Sequence, residues 1–125
     1  FPTAEHVARD LATCEAAMKL AEALGDPAIL AETRVIRGYV RMLGSIHAIG
    51  TATAGKKKLE GAEIKAVQAA KDELTAAAEE VAKGLEAWRQ AVAPDNRAPR
   101  FADTVEVTRK TAAAVSAALE PLGVK

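Results

Sequence analysis

The chain has 125 residues, 17 Lys or Arg balanced by 17 Asp or Glu, and a single cysteine. Such a length makes one domain, residues 1–125, able to bury roughly two-thirds of its unfolded surface in one core, and the lone Cys14 excludes an internal disulfide and any multi-cysteine metal site. With aromatics at 3% and no net charge there is little to stack bases or hold phosphates, so nucleic-acid binding is not expected.

Helical periodicity is clear from Ala4 to Leu24, where Val7, Leu11, Cys14, Met18, Ala21 and Leu24 recur at spacings of four and three. Cys14 on that stripe reads as a buried, inert thiol. Gly25 ends the helix. Asp26-Pro27 starts the next, because Asp caps free amides and Pro is tolerated at the first helical position. The second helix carries Ile29, Thr33, Ile36, Val40, Leu43 and His47 on one stripe and Val35, Tyr39, Met42, Ile46 and Ile49 on the adjacent one. A double stripe implies burial against two neighbours.

Gly50 to Gly55, which has no large side chain, reads as the second loop. The third helix then runs to about Val92 with Val67, Ala70, Leu74, Ala78, Val81, Leu85, Trp88 and Val92 on its stripe. Its polar faces are acidic, with seven Asp or Glu against three Lys from Glu60 to Glu86. Gly61 and Gly84 interrupt it, and close packing against a neighbour explains both better than a ligand crevice. Pro94 to Pro99 forms a third loop. The fourth helix places Phe101, Val105, Thr108, Ala112, Val115, Leu119 and Leu122 at four-three spacing, and Pro121-Leu122-Gly123 closes the chain.

Four amphipathic helices with short connections and no strand pattern predict an all-α, up-down-up-down antiparallel four-helix bundle. It is expected to be monomeric in isolation, with Leu11, Val40, Leu74 and Val115 in the core. No apolar run approaches the roughly 20 residues that span a bilayer, so a soluble chain is expected. The start at Phe1, without Met or a charged-then-apolar leader, reads as a mature form left after removal of a targeting segment, or as a trimmed chain.

Catalytic chemistry is not indicated. His6 and His47 belong to no metal or haem motif, His6 reading as a solvated first-turn residue and His47 as a partly buried, hydrogen-bonded imidazole. Ser45 and Ser116 lie outside any nucleophile elbow, and no phosphate-binding glycine loop occurs. Trp88 reads as core. The expectation is a non-enzyme with no cofactor and no metal.

The arranged feature is cationic. On the second helix Arg34, Arg37 and Arg41 fall within about 60° of one another, and Lys56-Lys57-Lys58 follow beyond it. Glu32 to Lys58 holds six Lys or Arg against one Glu. Because arginine binds carboxylates bidentately, these six residues read as a docking patch for an acidic protein surface rather than as a plain solvated face.

The order Arg34-Val35-Ile36-Arg37-Gly38-Tyr39-Val40-Arg41, an apolar continuation, a lysine run followed by Leu59, a long acidic-flanked helix, and a closing segment with Phe101, Thr104-Val105 and Leu119 to Gly123 resembles the PsbQ family. These are extrinsic four-helix proteins of photosystem II, and the chain is similar to the compact red-algal or diatom-type members that lack the proline-rich N-terminal extension of plants. The resemblance implies a non-catalytic subunit of the oxygen-evolving complex in the chloroplast thylakoid lumen. It would sit peripherally on the membrane beside photosystem II lumenal subunits and other extrinsic proteins, shielding the manganese-calcium cluster and retaining calcium and chloride. The rival readings are a PsbQ-like subunit of the chloroplast NADH-dehydrogenase-like complex, a bacterial receptor sensor bundle, and a haem bundle coordinated by His47.

Overall fold

In a computed structural model of the chain, residues 3–92 and 104–124 are described. The first helix, α1 (Ala4–Leu24), begins where the Thr3 hydroxyl accepts the His6 amide at 3.2 Å. It ends on Gly25, whose φ of 66° is left-handed, while Gly25 and Asp26 donate their amides to the Glu22 and Ala21 carbonyls. That closing pattern satisfies carbonyls that the helix end leaves open. Asp26 then accepts the Ile29 amide at 3.0 Å and Pro27 opens α2 (Pro27–Thr53). The predicted tight turn is therefore present, and its signals lie in three consecutive residues. Removing the cap by Asp26→Ala should cost about 1 kcal/mol, read as a lower urea midpoint with an unchanged slope.

The second loop differs from expectation. Gly50 and Thr51 stay helical, α2 continues to Thr53, and the connection is residues 54–60. One helical glycine costs only up to about 1 kcal/mol, too little to stop a helix whose flanking residues are held on both sides. Within the connection Leu59 is almost fully buried and its amide donates to the Leu122 carbonyl at 3.4 Å, tying this segment to the end of the chain. The third helix, α3 (Gly61–Ala91), opens on Gly61 at φ 45°, with open space where a Cβ would stand. Gly61 is thus a conformational residue and not the close-packing one expected. The fourth helix, α4 (Thr104–Leu119), runs into a 3-10 turn, Glu120–Leu122. The expected Pro94–Pro99 loop and the Phe101 anchor lie outside the described residues.

All four helices pack together and the described residues include no strand. Extensive contacts join α1 to α2, α2 to α3 and α3 to α4, and among the described residues α1 shares no such contact with α4. The tightest junction is α2 on α3. Its buried α2 residues are Ala31, Val35, Gly38, Met42, Ser45 and Ile49, at spacings of four and three. They meet Val67, Leu74, Ala77, Val81, Leu85 and Trp88 of α3 in two adjoining clusters, to which α4 adds Leu119, Val115 and Val105. Val124, beyond α4, is fully buried.

Glycine makes this approach possible. A Cβ on Gly38 would lie 2.5 Å from Val81 Cγ2 and 3.1 Å from the Ala77 carbonyl oxygen. A Cβ on Gly84 would lie 3.0 Å from Val35 Cγ2 and 3.1 Å from the Val35 amide nitrogen. Each helix seats a valine on the other's glycine, so the close-packing reading of Gly84 holds.

The stripes expected for α1 and α3 hold in large part, since Val7, Cys14, Met18 and Ala21 are buried, as are Val67, Leu74, Ala78, Val81, Leu85 and Trp88. Leu24 is an exception at 70% exposed. The α2 reading is corrected. Ile29, Ile36 and Leu43 stand 50%, 44% and 38% exposed, because the core-facing stripe is the one that contains Gly38 and Ser45 and so carries less hydrophobic mass. Of the four expected core residues Leu74 is fully buried, while Leu11, Val40 and Val115 are half-buried at the margins. Burial, and then the nearby Asp10 charge, push the Cys14 thiol pKa up, which keeps it protonated and unreactive.

Candidate functional site

The α2 edge that carries the arginines faces two other helices. Val7 of α1 meets Gly44 and Glu15 meets Arg37, so advancing along α1 goes with retreating along α2. The same opposed count relates α2 to α3, where Gly38 meets Val81 and Arg41 meets Glu73. Arg37 and Arg41, one turn apart, therefore look into the seam lined by Glu15 of α1 and by Glu73 and Glu80 of α3.

There they are held. Arg37 donates from Nη1 to Glu15 Oε1 at 2.5 Å and from Nε to Glu80 Oε1. Arg41 donates from Nε to Glu73 Oε1 at 2.6 Å and from Nη1 to Glu80 Oε2. Glu80 is the shared partner, each carboxylate oxygen taking one guanidinium, and its side chain is 11% exposed. Burial opposes the charge on Arg37, but the hydrogen bonds it donates to Glu80 and Glu15 outweigh it and raise the pKa. For Arg41 the hydrogen bond to Glu73 is the largest effect and again prevails over burial, with a further rise from Glu80. Both guanidiniums are fixed cations whose charge is spent inside the fold.

The remaining predicted cations behave differently. Arg34 is exposed, as are Lys57 and Lys58, and none of the three forms an ion pair among the described residues. Lys56 pairs with Glu63 at the start of α3. The structure thus divides the expected continuous edge into a free arginine near one end of α2, a neutralised middle, and two free lysines past the other end, roughly 30 Å away at 1.5 Å per helical residue.

Glu15, Glu73 and Glu80 escaped the sequence reading of the site. For Glu73 and Glu80 the signal was available in the acidic flank of the third helix, where they sit seven residues apart on one face. Matching them to Arg41 and Arg37 requires the register of α2 on α3, which the glycine contacts set.

Elsewhere, His6 is exposed at the start of α1 and His47 is half-buried beside an open apolar cleft that includes Val7, Leu11, Gly44 and Thr51. The groove between α3 and α4 carries Glu79, Lys83, Glu86, Arg89, Glu106 and Arg109, charges of both signs. Among the described residues no group of three or more His, Cys, Asp or Glu is placed to hold a metal ion, and no helix is long and apolar enough to cross a membrane. Comparison with the models of known families, with curated proteins and with solved structures found no match.

Proposed function

We propose that the chain is a non-catalytic docking subunit, an up-down-up-down antiparallel four-helix bundle that binds an acidic protein surface through two separated cationic points, Arg34 and the Lys57-Lys58 pair. The observation that carries this reading is the sorting of the six cations. Arg37 and Arg41 in the middle are consumed by Glu15, Glu73 and Glu80 and Lys56 is taken by Glu63, whereas Arg34, Lys57 and Lys58 stay exposed and without an ion partner among the described residues. Opposed helix registers at both α1–α2 and α2–α3 support the bundle topology.

The partner comes from the PsbQ resemblance. On that reading the acidic surface is the lumenal face of photosystem II, the location is the thylakoid lumen, and the role is to stabilise the manganese-calcium cluster and retain calcium and chloride. Exposed charges are screened over about 10 Å at 0.1 M salt, so attachment should weaken steeply as salt rises. The variant Arg34→Gln/Lys57→Gln/Lys58→Gln leaves the internal network intact and should fold normally. Its rebinding to salt-washed thylakoid membranes is expected to fall by about tenfold, at roughly 0.5 kcal/mol per exposed pair lost. Rebinding at the wild-type level would place the docking face elsewhere.

A further inference from the structure

Five large apolar side chains are exposed on α1 and α2: Leu20 at 61%, Leu24 at 70%, Ile29 at 50%, Ile36 at 44% and Leu43 at 38%. They share one side of the molecule. The Glu15–Arg37 ion pair marks the opposite side of the α1–α2 pair. Ile36 lies about 100° around α2 from Arg37, and Leu20 lies about 140° around α1 from Glu15. Because the two helices run in opposed directions, both rotations turn the same way in space, away from the ion pair. Leu24 and Ile29 bracket the tight turn at Gly25 and Asp26, while Ile29, Ile36 and Leu43 repeat every seven residues along about 21 Å of α2.

We infer that this α1–α2 face is the interface for a second copy of the same chain, packed face to face about a two-fold axis. Three observations favour a second copy. The sequence of α2 carries two apolar stripes, which calls for cover on two sides, and within the chain α1 and α4 leave the line Ile29, Ile36, Leu43 uncovered. That line bears no charge, its flanking positions being Thr33, Val40 and His47 on one side and Glu32, Tyr39 and Ile46 on the other. The line itself can meet its own copy without like-charge repulsion, with Glu32 the one acidic residue at its edge, as the self-complementarity of an isologous interface requires. The five side chains expose on the order of 500 Å², near the top of the range for the largest patch on a monomer. The adjoining Thr13, Ala16 and Ala17 of α1 enlarge the face, which still falls short of the roughly 800 Å² per partner of a standard interface.

The area places the dimer in the weak class, with a dissociation constant on the order of 100 μM. The sequence predicts a monomer because its four helical stripes, the one with Ile29, Ile36 and Leu43 included, call for mutual burial.

Sedimentation of the full chain from about 10 μM to about 1 mM tests this. The wild type should rise from 13.0 kDa towards twice that mass. Ile36→Lys/Leu43→Lys sets like charges against each other across the axis at positions already exposed, so it should keep its circular dichroism and stay at monomer mass throughout. Leu20→Gln/Leu24→Gln, which adds no charge, should raise the dissociation constant about tenfold, as expected for loss of about 1.4 kcal/mol of apolar contact. Arg34→Gln/Lys57→Gln/Lys58→Gln should dimerise like wild type, which separates this interface from the docking reading. A wild type that remains monomeric at about 1 mM overturns the proposal, as does a dimer that the two lysines leave intact or that added salt dissolves.

Discussion

Adding a single methyl group should destabilise the protein at Gly38 and stabilise it at Gly50. Both glycines are helical, so alanine gains up to about 1 kcal/mol of intrinsic helix preference at each. Around Gly50 nothing lies within 4 Å of the new Cβ, and that gain should appear in full. At Gly38 the Cβ would stand 2.5 Å from Val81 Cγ2 and 3.1 Å from both the Ala77 carbonyl oxygen and the Val81 amide nitrogen. A β-branched neighbour is stiff and backbone atoms cannot step aside, so α2 and α3 must separate along their whole shared stripe. Overpacking of this kind costs about 3 kcal/mol at its upper range, leaving a net loss of about 2 kcal/mol for Gly38→Ala. A melting temperature lower by about 8 °C for Gly38→Ala and higher by a few degrees for Gly50→Ala would be the signature. Gly84→Ala, with three contacts between 3.0 and 3.2 Å, should fall between the two. Equal shifts at Gly38 and Gly50 would mean that α2 and α3 are farther apart than described.

These glycines also explain which parts of the fold were legible in the sequence. The first helix and its turn were readable because the signals are local: an apolar stripe at four-three spacing, a helix-ending Gly and an Asp-Pro start. The third helix was readable because its core stripe includes the large residues Val67, Leu74, Val81, Leu85 and Trp88 at helical spacing. On the second helix the two criteria part. Periodicity weights hydrophobic mass, and the helix puts much of its mass on the Ile29, Ile36, Leu43 line while its closest approach to α3 is made at Gly38, which carries none. Closeness of approach is a property of two surfaces, and a single chain read as one string shows only one of them at a time. The cationic edge failed in the same way: three co-facial arginines were visible on α2, but whether their charge is free depends on carboxylates brought in by register from α1 and α3.

Loss of the Glu80 charge should therefore do more harm than loss of any exposed cation. Glu80 accepts from Arg37 on one oxygen and from Arg41 on the other, its side chain is 11% exposed, and the two guanidiniums are 24% and 23% exposed. The outer partners Glu15 and Glu73 are 55% and 47% exposed, where an ion pair contributes about 0–1 kcal/mol. Glu80→Gln keeps the volume and one acceptor but turns two paired cations towards a neutral amide in a partly dry seam. Breaking one partner of a fully buried pair costs about 3–5 kcal/mol, and the partial exposure here brings the expected loss to about 2 kcal/mol. Arg37→Gln/Arg41→Gln should destabilise for the mirror-image reason, by leaving Glu80 unpaired, so arginine replacement in this seam reports on folding before it reports on docking. The triple variant Glu80→Leu/Arg37→Met/Arg41→Met removes both sides together and should recover most of the loss, since apolar groups of similar volume replace such networks at little cost. Urea denaturation of the four proteins compares the broken seam with the intact and the apolar one. If Glu80→Gln unfolds at the wild-type midpoint, water already satisfies the arginines and the seam is no more than a solvated edge.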